Sequence, residues 1–328
     1  MGHIVTEVRR RWPGGIVYFD LDGEFEKGEH PDFIVKQSVG EGGRNLSDDV
    51  LAVKKRLNSF PPDQGGPSPR LDETGKIDGA TITAIHKFQK HRFGWSDGRV
   101  DRNGPTIIEL TIGAADDTSG EAKGVLINAV HQWNRDVRDR GLKVKWVRRI
   151  SRNADYVVFR PGGSNESVGR PGVPASGFGR FGGVQYVNIS VDKAKNLATQ
   201  FGGTSEGVVI HEMGHAAGLL HEHQRSDRDD HVTIKWGNIV PGSDDPNEGG
   251  PCCAYVKAPT GQDPNCKHTC PRLPPSVPFG CYDFRSTMHY FSKQKSDNGM
   301  AVIKGQEPMG SFSGLSLGDI AALNFLAG

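Results

Sequence analysis

Three histidines set the chemistry this chain can do. In VVIHEMGHAAGLLHEH, His211 and His215 are four apart, so on a helix both imidazoles leave one face a turn apart and can bind one metal ion. Glu212 sits beside them. It is too close in sequence to be a third ligand on that face, yet near enough to hold a metal-bound water and take its proton. Gly218 follows about one turn after His215, where a left-handed residue ends the helix and turns the chain back towards the metal. His221 is then delivered as the third ligand. Three neutral nitrogens leave one position of a zinc ion open, which is the catalytic rather than the structural arrangement. A bare HExxH arises by chance; the added glycine and third histidine make the pattern specific. His223 falls after the motif and is expected at the surface or behind the site.

A buried helix must present this pattern. Val209, Met213, Ala216, Ala217 and Leu220 recur at near-helical spacing, predicting a helix buried along one side, with Thr204 or Ser205 as N-cap. IVYFDL (16–21), LKVKWVRRI, ADYVVFRPG and GVQYVNISVD read as strands from their β-branched and aromatic content. EAKGVLINAVHQWNRDVRDRG reads as a strong amphipathic helix: Leu126, Ala129, Val130, Trp133 and Val137 form one stripe, and Gly141 ends it. SLGDIAALNFL closes the chain as a helix with Ser316 as N-cap.

At 328 residues the chain can hold two domains or one large one. A net charge of +1 gives no electrostatic case for nucleic acid. No apolar run approaches the ~20 residues that span a bilayer. The opening MGHIVTEVRRRWPGG lacks the apolar core of a signal peptide, so the chain is either made without one or is a mature or trimmed form. All five cysteines lie between Cys252 and Cys281 in a Pro- and Gly-rich segment, which reads as a disulfide-stapled loop of an oxidising compartment. Adjacent Cys252 and Cys253 are not expected to pair with each other. Cys266 and Cys270 are spaced CxxxC rather than CxxC, so a second metal site is the weaker reading.

The zinc motif followed by Glu222, the run RSDRDDHVTIKWGNI (225–239) and YDFRSTMHY (282–290) together resemble the astacin family of metzincin zinc endopeptidases. RRRWPGGIVYFDL is similar to the family's opening strand, the helix at 122–140 to its first helix, GVQYVNIS to the strand edging its cleft, and GLSLGDIAALNFL to its closing helix. The resemblance implies an α+β metzincin fold, a two-subdomain zinc protease with a twisted mixed sheet and an active-site helix. It implies one catalytic zinc ion on His211, His215 and His221, with Glu212 as general base. Tyr290 would reach the zinc and stabilise the transition state, Met288 would form an apolar floor beneath the metal, and Glu222 would bind a buried N-terminus. The family's propeptide aspartate motif and its usual cysteine pair are not evident.

Roughly 95 residues intervene between the opening strand and the first helix, and an insertion of that size is expected to fold on its own. DDVLAVKKRLN, with Val50, Val53 and Leu57 on one face and Ser47 as N-cap, and DGATITAIHKFQK, with Ile82, Ile85 and Phe88, read as helices. With WSDGRVDRNGPTIIEL they resemble the small three-helix peptidoglycan-binding-like domain, Thr81 and Thr106 serving as helix caps. The expected organisation is 1–24 plus 121–328 as the metalloprotease domain, its upper half ending at about 221 and its lower half covering 222–328, with 25–120 inserted.

The function expected is a zinc metalloendopeptidase, secreted or periplasmic, that acts on protein or peptide substrates. Residues 25–120 would tether it to peptidoglycan or glycan. Its rivals are a metal hydrolase of cell-wall peptide crosslinks and a zinc-retaining binding protein without turnover; the presence of Glu212 and Tyr290 speaks against the latter.

Overall fold

The computed structural model describes residues 2–21, 35–93, 95–102, 104–112, 121–149, 153–161, 178–189, 191–240, 251–258, 263–267, 270, 273–294, 296, 299–306 and 308–328. In chain order the elements are β1 (Gly2–Val5), β2 (Ile16–Leu21), β3 (Val39–Gly40), α1 (Ser47–Asn58), α2 (Gly79–Phe93), β4 (Arg99–Val100) and α3 (Pro105–Ile112). They continue with α4 (Glu121–Asp139), β5 (Lys145–Arg148), β6 (Tyr156–Pro161), β7 (Val184–Ile189), α5 (Val191–Phe201) and α6 (Ser205–Ala217). The last are β8 (Leu219–Leu220), β9 (Thr233–Ile234), β10 (Ser276–Phe279), β11 (Ile303–Lys304) and α7 (Leu317–Ala327). Two compact units result, one of Met1–Asp22, Asn128–Trp146 and Ala154–Gly328, the other of Gly23–Ile127 and Val147–Asn153. The boundaries expected at 24–25 and at 120 lie outside the described residues.

The first unit is α+β. Its main sheet has the order β5-β2-β6-β7, and β2, β6 and β7 run parallel, with Phe19 opposite Val157 and Val157 opposite Gln185. Inward-pointing Phe19, Trp146 and Phe159 pack against one another, Trp133 of α4 meets Trp146 edge to face, and all four are fully buried. Each such side chain removed from water contributes about 1.5–3 kcal/mol. The α4 stripe is buried through Trp133, whose indole donates to Val144 O at 2.8 Å, while Val137 is half-buried. A second sheet, β10-β1-β8, threads the start of the chain between two distant segments, both pairings antiparallel.

Helix α6 departs from the sequence expectation. Every residue from Gly207 to Gly214 is buried, so it is enclosed all round rather than along one side. The reason is α5, whose Ala194 and Ala198 are buried with Val208 and Phe312 on the flank expected to face solvent. Thr204 is the N-cap, its hydroxyl accepting Gly207 N at 3.0 Å. Ser316 caps α7 in a full capping box with Asp319.

The second unit packs α1, α2, α3 and the β3–β4 pair around its own core of Val50, Val53, Leu57, Ile85, Phe88 and Leu110. Ile82, on the same helix, is only half-buried. Three expected caps are corrected. Leu46, not Ser47, holds the N-cap position of α1, and no side chain caps it. Thr81 lies inside α2, where Asp78 accepts both its amide and its hydroxyl at 2.7 Å. Thr106 is buried within α3 and receives Gln89 Nε2 at 2.8 Å.

Candidate active site

Helix geometry puts His211 and His215 side by side, their ring centroids 4.7 Å apart. Gly218 then ends α6 at φ +114°, in the left-handed region, and its amide returns to Gly214 O and His215 O. The chain leaves this turn as β8, and pairing with β1 fixes its direction: His3 lies opposite Leu220, and Ile4 opposite Leu219. His221 is the next residue. The N-terminal strand thereby sets where the third imidazole arrives, and His3 Nδ1 donates to His221 O at 3.1 Å.

The three Nε2 atoms converge. His221 Nε2 is 3.2 Å from that of His215 and 3.3 Å from that of His211. A tetrahedral centre with bonds of ~2.0–2.1 Å has edges of about 3.3 Å, so the spacing fits zinc. Each Nδ1 meanwhile faces an oxygen acceptor: Thr287 O at 2.6 Å for His211, Leu219 O at 2.9 Å for His215, and Gln224 Oε1 at 3.1 Å for His221. Those acceptors place the proton on Nδ1 and leave a lone pair on every Nε2. Burial also lowers the imidazole pKa values, to about 4 for His211 and about 3 for His215, with His221 well below its ordinary value. All three are neutral ligands at pH 7. The donor set and its protonation fit a single zinc.

Glu212 is buried beside His211, and burial pushes its carboxyl up to about 8. Met288 is buried against the middle of α6. A Cβ at Gly214 would lie 2.8 Å from Met288 Sδ, so the glycine in HEMGH makes room for it. The main chain around Met288 is bound on both sides, Thr287 O by His211 and Met288 O by Glu222 N at 3.0 Å. Tyr290 is buried with its ring centroid 4.7 Å from His221, and burial raises its phenol well above the ordinary range, keeping it protonated.

Glu222 is fully buried and paired to Arg225 at 2.9 Å, and its Oε1 also accepts Asp283 N at 2.9 Å. Its Oε2 has no partner among the described residues. The expected role of binding an N-terminus falls on Met1, outside the described residues. His223 is fully buried, not at the surface: its ring lies 4.2 Å from Tyr290 and its Nε2 donates to Ala254 O at 2.9 Å.

Several supporting residues escaped the sequence reading. Arg225 and Arg228 are 1% exposed, Arg225 bridging Glu222 to Asp227 and the carbonyls of Gly280 and Cys281. Charged residues in a polar run read as solvated, and only their match to the resembling motif marked them. Gln224 carried no signal at all. The cysteines form Cys252–Cys266 and Cys253–Cys270, leaving Cys281 free and exposed; the adjacent pair does not bridge, and Cys266 and Cys270, the candidate ligands of a second metal, are both used in disulfides.

Residues 114–248 match the family model described as Astacin, a peptidase family. Zinc metalloproteinase nas-15 of Caenorhabditis elegans is 28% identical over 188 residues, 56% of this chain and 26% of that protein. Tolloid-like protein 2 of Homo sapiens is 26% identical over 312 residues, 87% of this chain and 25% of that protein. Among solved structures, high choriolytic enzyme 1, a hatching enzyme zinc-protease from Oryzias latipes, is 26% identical with a TM-score of 0.44, covering 64% of this chain and 84% of that one. The chain spans about a quarter of the length of these two curated relatives.

Proposed function

From the astacin-family metalloprotease domain that this chain carries, we propose a zinc-dependent endopeptidase that hydrolyses peptide bonds in proteins. The observation that carries this reading is the convergence of three Nε2 lone pairs beside a buried carboxyl and a protonated phenol. Zinc bound there supplies Lewis-acid activation of a carbonyl and of a water. Glu212, its proton affinity raised by burial, takes the proton of the attacking water and returns it to the leaving amine. Tyr290, beside His221, donates its O–H to the oxygen that becomes negative in the transition state. Met288 keeps the floor of the site apolar.

Residues 25–120 are read as an inserted peptidoglycan-binding-like domain that tethers the enzyme to cell wall or glycan; the self-contained core of the second unit supports an independent module. Two disulfides support export to an oxidising compartment. No helix among the described residues is long and apolar enough to cross a membrane.

Parallel digestion of unfolded casein and of purified peptidoglycan tests the reading, with zinc stripped by chelation and then restored. Casein cleavage that disappears and returns with zinc supports the peptidase. Release of crosslink peptides from peptidoglycan without casein cleavage favours the cell-wall hydrolase instead.

A further inference from the structure

The three converging imidazoles are not held alike. His211 and His215 give their Nδ1 protons to main-chain carbonyls, whereas His221 gives its own to a side chain, Gln224 Oε1 at 3.1 Å. A carbonyl stays where the backbone puts it. A glutamine rotates about three torsions and orients a ligand only if it is itself held.

What holds Gln224 is the cysteine-rich segment. Its Nε2 donates to Ala254 O at 3.1 Å, and its own carbonyl accepts Ala258 N at 2.8 Å. Ala254 O also accepts His223 Nε2 at 2.9 Å, and Tyr255, fully buried, packs edge-on to Tyr290 with centroids 5.7 Å apart. One short segment therefore stands behind both the third imidazole and the phenol. Among the described residues from 251 to 270, regular structure is limited to one 3₁₀ turn, Pro251–Tyr255, and the apolar cluster there is small: Val256 and the half-cystines, with Trp236 against them. The two disulfides leave from Cys252 and Cys253, directly ahead of Ala254.

We propose that Gln224 is a positioning residue for His221, and that Cys252–Cys266 and Cys253–Cys270 hold its acceptor Ala254 in place, so that retention of the metal depends on the oxidised state of these cysteines. The proposal rests on the reading of the three histidines as zinc ligands. Opening each bridge takes two electrons and two protons from a dithiol, which becomes a disulfide while two protein thiols form. The Ala254 carbonyl then loses its anchor, and with it Gln224 loses the bond that fixes its amide.

The test is zinc release from the full zinc-loaded chain into a chromophoric chelator. It compares wild type with Gln224→Ala and Gln224→Glu, each oxidised or reduced with dithiothreitol and alkylated so that the thiols cannot bind metal. The same set is loaded with cobalt to read the ligand field. Gln224→Ala should release zinc about 10–100-fold faster and shift the cobalt spectrum. Gln224→Glu keeps an acceptor for Nδ1 but has no donor for Ala254 O, so it should release zinc about as fast as reduced wild type and gain little further from reduction. Reduction should speed release from wild type by a similar factor but add little in Gln224→Ala, because both act through one contact. Equal release from Gln224→Ala and wild type, or the same reduction factor in both, overturns the proposal while leaving the peptidase reading intact. Oxidised wild type that holds no zinc removes the peptidase reading, and this one falls with it.

Discussion

Asp319 of the closing helix and His211 of the zinc motif are joined through a single residue of main chain. Asp319 Oδ2 accepts the amide of Thr287 at 2.9 Å, and the carbonyl of Thr287 accepts Nδ1 of His211 at 2.6 Å. Asp319 Oδ1 takes the Ser286 hydroxyl as well, at 2.5 Å, so a fully buried carboxyl fixes the turn from which Met288 projects. The last helix of the chain thereby helps to aim the first imidazole of the site.

Replacing Asp319 by Ala should therefore weaken zinc binding by about 10–100-fold, although the residue lies outside the metal's reach. Competition against a chromophoric chelator measures it. Asp319→Asn, which keeps one acceptor oxygen, should fall between wild type and Asp319→Ala; unchanged affinity in both would break the link drawn from α7 to His211.

Zinc itself should stabilise the first unit. At free zinc 1,000 times its Kd, binding contributes about 4 kcal/mol, which for a unit of this size corresponds to a Tm higher by roughly 8–16 °C. Calorimetry with and without a chelator should move the transition of the unit that holds His211, His215 and His221. The helical unit, with a separate core and none of the three histidines, should melt as before.

Gly207, in the first turn of α6, has no room for a side chain: a Cβ there would sit 1.7 Å from the carbonyl oxygen of Phe312. That oxygen also accepts Thr204 N at 2.9 Å, so it cannot yield without loosening the start of the zinc helix. Gly207→Ala should destabilise the first unit by about 1–3 kcal/mol, read from chemical denaturation. Gly237→Ala, where a Cβ would meet nothing within 4 Å, is the matched control and should cost little.

In the second unit, buried Lys54 is paired to Asp72 and to Asp78, the latter at 2.8 Å. The bond from Lys54, followed by that from Thr81, lowers the Asp78 pKa to about 2. A carboxyl depressed in the folded state adds stability above its unfolded pKa, and that contribution is lost as pH falls through the folded value. Hydrogen exchange of α1 and α2 should thus stay protected down to pH ~4 and weaken towards pH ~2. Asp78→Asn should show lower protection already at pH 7 and a flatter acid response.

Legibility in the sequence followed the range of the interaction. Helix α6, its Thr204 cap and the Gly218 turn were readable because their signals lie within one or two turns of each other. The same holds for α1, α2, α4 and the Ser316 cap of α7. Helix α5 was missed although Ala194, Leu197, Ala198 and Phe201 are spaced as one face; the preceding strand reading ran on through Val191 and Asp192 and hid it. Strand β1 was not legible, since GHIV acquires meaning only from β8 and β10, more than 200 residues away. Buried Arg225, Arg228 and Gln224 are polar residues whose burial is decided by carbonyls that the fold brings from residues 254–281, and no local pattern announces that.

The most direct measurement is cleavage of unfolded casein by the purified chain, with zinc content quantified, for wild type and Glu212→Ala side by side. The account predicts one zinc ion in each protein and activity lower by about 10²–10⁴ in the variant, because the carboxyl moves the proton while the three histidines hold the metal. A Glu212→Ala protein that keeps its zinc and cleaves casein at the wild-type rate would contradict it.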